Sequence, residues 1–258
     1  MNVITNQSSL TKVSSEYLNL LNDLQTRVIN HFGAAFCAYY LSGSVGRGEN
    51  LPGVSDMDTV IILRRAPSNE DELWEKAIQE EFEPKYPTLS RLDISCIEDK
   101  ELNDPNAERL RFIFKTDSVL VCGEDITTSF SSYPPGVQLA KLLNANYRKT
   151  LEEVRKEILE PDEEDRNNPK YVMECARWAS KKVLRLCLGI IMVDEAFYTR
   201  KMQEIAEKFL ELYPDYKLQV EKSLNQYVNP TNDTNEAVDF IDAISTSICK
   251  LADEKFKL

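Results

Sequence analysis

Histidine is nearly absent from this chain of 258 residues; His31 is the only one. A Ser-His-Asp or Cys-His centre would have to use it, yet it stands at the end of a helical pattern just before Gly33, where the helix dipole favours a histidine and nothing beside it supports nucleophilic chemistry. Zinc and redox motifs are missing as well. The six cysteines, Cys37, Cys96, Cys122, Cys175, Cys187 and Cys249, lie far apart with no CxxC pair, and read as reduced core residues. No apolar run approaches the roughly 20 residues that span a bilayer. The most apolar stretch, Leu184 to Val193, contains Arg185 and follows Lys181 and Lys182, so it reads as a buried helix. Met1 to Val13 lacks the basic segment and apolar core of a secretory signal, and a cytoplasmic protein is expected. Positive charge is also in deficit: 31 Lys and Arg against 43 Asp and Glu leave −12, which argues against nucleic acid and anionic membranes as partners. An acidic surface suits cationic small molecules or protein partners.

What is present is ordinary globular material, 42% hydrophobic and 29% charged, enough for one large domain or two modest ones. Leu18, Leu21, Leu24 and Val28 set a helix over residues 15–31, ended by Gly33. Phe36 to Leu41 reads as a strand running into the Gly-rich bend Gly43-Ser44-Val45-Gly46-Arg47-Gly48, followed by a turn at Pro52-Gly53. Further strands are expected at Met57 to Leu63, Leu89 to Ile97 and 118–122, with helices at 69–82 and 106–115. From Gln138 onward the pattern is helical, over 138–159, 170–193, 199–212 and 235–256, and the acidic stretch Pro161 to Asp165 with Asn167-Asn168-Pro169 reads as a linker. The expected architecture is α/β plus α: a mixed-sheet domain over 1–135, then a helical domain over 136–258.

Two carboxylates, Asp56 and Asp58, stand two residues apart at a strand start and therefore point to one face. Such a pair suits Mg²⁺, a hard cation commonly held by one or two carboxylates together with substrate phosphates. The glycines of the preceding bend let the backbone approach a phosphate, and the Ser44 hydroxyl can donate to it. Asp93 lies in an otherwise apolar strand and is read either as a third metal-facing carboxylate or as a residue on a solvent-facing strand surface.

Gly43-Ser44, eleven intervening residues, Asp56-x-Asp58 and the later Asp93 together resemble the signature of the nucleotidyltransferase superfamily that includes DNA polymerase β. Thr59 and Ser42 occupy positions that are usually apolar in that signature. The resemblance implies nucleotidyl transfer with two divalent metals. Asp56 and Asp58 would hold metals on the triphosphate, and Asp93 would bind the second metal or accept the proton of the acceptor hydroxyl. Gly43 and Ser44 would hold phosphates, with Arg47 either helping or forming a salt bridge to Glu49 or Asp56.

A helical domain after the catalytic half, in a chain of this length, is similar to the aminoglycoside adenylyltransferases. That likeness implies ATP as the AMP donor and a small-molecule hydroxyl acceptor, for which an aminoglycoside-like compound fits the acidic balance. Arg177, Lys181 and Arg185 recur along one helix face, read as a solvated stripe or as triphosphate ligands; Arg185 and Lys201 are the named candidates, with Arg200 as the substitute for Lys201. Trp74 and Trp178 are read as core before they are read as stacking platforms. The alternative function is an antitoxin-like or regulatory protein that nucleotidylates or masks a protein partner.

Overall fold

Phe36–Ser42 form β1, and six of its seven side chains are buried, as an aromatic and apolar strand in the middle of a sheet requires. The computed structural model describes residues 3–50, 55–163, 165, 166 and 168–257; the turn expected at Pro52-Gly53 and two positions of the acidic linker, Glu164 and Asn167, lie outside them. The other strands are β2, Met57–Leu63, β3, Leu92–Glu98, and β4, Ser118–Gly123, in the order β3-β2-β1-β4. β1 runs antiparallel to both β2 and β4, while β2 and β3 are parallel. The sheet is therefore mixed.

Alternation along the strands divides the core in two. Tyr39, Leu41, Ile61 and Leu63 pack with Leu20, Leu24 and Val28 of α1, Ser15–Phe32, and with Ile78 and Phe82 of α3, Asn69–Lys85. Between these helices in the chain lies α2, Gly43–Arg47. On the other face Ala38, Tyr40 and Ile62 meet Leu102 and Phe114, the latter from α4, Glu108–Asp117. A capping box between Ser68 and Asp71 starts α3, with both reciprocal hydrogen bonds made.

Ile4–Tyr133 form this α/β unit, and Pro134–Leu258 form a second compact unit that is all helical. Its helices are α5, Val137–Leu143, α6, Tyr147–Leu159, α7, Pro169–Asp194, α8, Met202–Leu212, α9, Lys217–Val228, and α10, Thr234–Phe256. The centre is α7, which touches the other five and buries Ala176, Ala179, Val183, Leu186 and Ile190. The single helix expected over 138–159 is broken at Asn144 to Asn146. Asn144 turns its amide back onto the carbonyl of Ala140 at 2.9 Å, which competes with continuation of the helix. The whole fold is α/β plus α. Among the described residues no helix is long and apolar enough to cross a membrane, and all six cysteines are free thiols.

Candidate active site

The carboxylates converge because of strand register. Asp58 on β2 stands opposite Asp93 on parallel β3, and on the other side it pairs with Ser42 at the end of β1. Asp56 precedes β2 by one residue, and by alternation shares the face of Asp58. Each of the three offers a carboxylate oxygen, and these oxygens lie within 4.8 Å of one another. Three hard oxygen donors at that separation fit a Mg²⁺-type cation by both chemistry and spacing. The structure thus brings together the two carboxylates at the strand start and the later one from the neighbouring strand.

Gly43 sits against this cluster. Its φ of +77° lies in the left-handed region, and a Cβ placed there would stand 2.5 Å from Asp58 Oδ2. Glycine is therefore required twice over, by backbone conformation and by the close approach of the carboxylate. Ser44, half-buried, is the second residue of α2, and its carbonyl accepts the amide of Glu49 at 2.9 Å. The two departures from the family pattern are both satisfied across strands. Ser42 Oγ is 2.7 Å from Ser118 Oγ, and Thr59 Oγ1 donates to the carbonyl of Asp93 at 2.9 Å. The second bond fastens the backbone of the third carboxylate to β2.

Arg47 donates through Nε to Glu49 at 2.7 Å and through Nη1 to Asp117 at the end of α4. Burial lowers its pKa, but the Asp117 and Glu49 carboxylates outweigh burial and leave it raised. The sequence left open a role in phosphate binding or a salt bridge to Glu49 or Asp56; Glu49 is a partner, and Asp117 was not among those named. In the helical unit Arg185 is exposed on α7, and Lys201 precedes α8 with its ammonium 2.9 Å from Glu204 Oε1.

One residue of the cluster escaped the sequence reading. Arg91 Nη2 donates to Asp93 Oδ2 at 2.5 Å. That bond, the charge of Asp93 and then those of Asp56 and Asp58 raise the Arg91 pKa against an opposing desolvation. The signal was available, because Arg91 stands two residues before Asp93 and so shares its face. His31, by contrast, is structural: its Nε2 is 3.2 Å from Asp71 Oδ1 and its ring stacks on Trp74 with centroids 4.7 Å apart.

A carboxylate triad on two parallel strands, with a glycine-serine bend folded onto it, defines a class, and comparison with known proteins agrees: residues 37–128 match the nucleotidyltransferase domain family. The matched stretch lies inside the α/β unit. In fold the chain is similar to a spectinomycin adenyltransferase from Enterococcus faecialis, solved with ATP and spectinomycin, at a TM-score of 0.53 and 10% identity over 89% of this chain and 99% of that one. No curated protein matches the sequence.

Proposed function

We propose that the protein is an adenylyltransferase that moves AMP from ATP to a hydroxyl of a small molecule. The observation that carries this reading is the convergence of Asp56, Asp58 and Asp93 beside Gly43 within a nucleotidyltransferase domain. Asp56 and Asp58 would bind two divalent cations, Mg²⁺ by preference, with Asp93 sharing the second. Held there, the cations would neutralise triphosphate charge and stabilise the pyrophosphate leaving group.

In this reading the chain's own groups position and exchange a proton. Gly43 lets the backbone run close to the phosphates, and the Ser44 hydroxyl donates to them, with Arg47 fixing the end of α2 through Glu49 and Asp117. The acceptor oxygen attacks the α-phosphorus in line as the bond to the bridging oxygen breaks; its proton passes to an Asp93 carboxylate oxygen. Arg185 and Lys201 are proposed to contribute charge to triphosphate binding. An aminoglycoside-like acceptor suits a chain of net charge −12, and the fold's likeness to an enzyme solved with ATP and spectinomycin supports a donor and an acceptor of these kinds.

Incubation with α-labelled ATP, Mg²⁺ and a panel of aminoglycosides and aminocyclitols tests the proposal. Label is expected on at least one acceptor, with pyrophosphate released in equal amount. Label on a co-purified protein instead would favour a protein nucleotidylating function. Absence of both label transfer and ATP binding would overturn the enzyme reading.

A further inference from the structure

Asp56 and Asp58 stand on one strand and its approach, and Arg91 and Asp93 on its parallel neighbour, each pair two residues apart and each pair facing one way. Register joins them. Asp58 lies opposite Asp93, and one residue before the Met57–Leu92 pair on each strand come Asp56 and Arg91. The sheet end therefore carries a square of three acids and one base. The base is tethered: the Arg91 carbonyl accepts the amide of Met57 at 2.9 Å, which fixes where its side chain begins. Its guanidinium closes on Asp93 Oδ2, an oxygen of one of the three carboxylates a cation would use.

We propose that Arg91 is a resident counter-ion of the carboxylate cluster, holding Asp93 until a divalent cation competes for that carboxylate and so setting how tightly the cluster takes a bare ion. This rests on the reading of the cluster as a metal site. Three carboxylates with oxygens within 4.8 Å of one another repel, and the Arg91 guanidinium offsets one unit of that negative charge at Asp93. A bare cation therefore meets a weaker field and a carboxylate already engaged by the guanidinium. A cation arriving with a triphosphate meets a different balance, because phosphate oxygens offer the guanidinium a new partner as it leaves Asp93. Arg91 thus opposes the bare ion and not the ion with its nucleotide, which makes it a positioning residue that favours the loaded donor.

Manganese(II) binding to the full chain, followed by the electron paramagnetic resonance of the free ion, tests this without turnover. Arg91→Gln is expected to tighten bare Mn²⁺ binding by about threefold to thirtyfold, since an exposed pair is lost together with a nearby like charge. The gain should vanish when an unreactive ATP analogue is present. Arg91→Lys, which keeps the charge, should stay within about twofold of the wild type. Unchanged or weaker binding in Arg91→Gln, with wild-type binding lost in Asp58→Asn, overturns the role of Arg91 and leaves the metal site standing. Absence of Asp58-dependent binding in both proteins overturns the two together. Should Arg91→Gln fold poorly, melting decides: a larger rise on adding Mn²⁺ than in the wild type supports the proposal, and an equal rise contradicts it.

Discussion

Thr59 places a hydroxyl where a purely apolar strand residue would serve the core, and its bond to the Asp93 carbonyl gives that hydroxyl a task. Thr59→Val keeps the shape and deletes the donor inside a buried site, so a loss of about 1–2 kcal/mol in urea unfolding is expected. Asp71 is a second residue whose surroundings fix its behaviour. It is buried, and the Arg65 guanidinium, bound through both nitrogens at 2.6 and 3.0 Å, with Ser68 and His31, holds its carboxyl well below the usual carboxylate range. A carboxyl with a depressed folded pKa contributes fully above its unfolded value near pH 4 and loses that contribution as pH falls toward the folded value. The wild type should therefore lose stability progressively as pH falls below about 4, by unfolding measured at each pH. Asp71→Asn should be about 2–4 kcal/mol weaker at neutral pH and show a shallower loss on acidification. Sequence alone singled out Asp56, Asp58 and Asp93 but not Asp71 or Arg91, because the roles of the latter two depend on partners brought from other elements or on a register that residue spacing only hints at.

Elements were legible in proportion to how cleanly their apolar residues repeat. β2 and α7 have one consistent pattern, and the strand at Met57–Leu63 matches the sequence expectation at both ends. The twelve-residue α9 escaped because its buried positions include Ser223 and Gln226, while Leu218 and Val228 are exposed at 62% and 60%, which scrambles the amphipathic stripe. The third strand begins at Leu92 and not at Leu89, because Leu89 closes a turn onto the carbonyl of Tyr86 at 2.9 Å. Close packing between helices gives a prediction at this scale. A Cβ at Gly189 of α7 would stand 2.4 Å from the Asn144 amide nitrogen and 3.1 Å from Phe256 Cζ. Asn144 is buried and bonded, so it cannot simply move aside. Gly189→Ala should cost about 1–3 kcal/mol through overpacking, although alanine is the better helix former, and a lowered melting temperature would report it.

The whole molecule couples an acidic chain to a small cluster that uses its acidity. Three of the 43 carboxylates sit within one metal-sized space, and Arg91 offsets part of their charge; the remaining excess is spread over a surface with many exposed Asp and Glu residues. The α/β plus α class was readable because strand and helix periods change along the chain, and one short signature pointed to the domain family that residues 37–128 match. The acceptor was not readable, since no motif marks it. The decisive measurement uses ATP labelled at the α or at the γ phosphate with a competent acceptor. The account predicts that α label appears on the acceptor, that γ label leaves as pyrophosphate, and that Asp58→Asn loses at least about a hundredfold in rate while keeping its melting temperature. Transfer of γ label to the acceptor, or full turnover in Asp58→Asn, would contradict it.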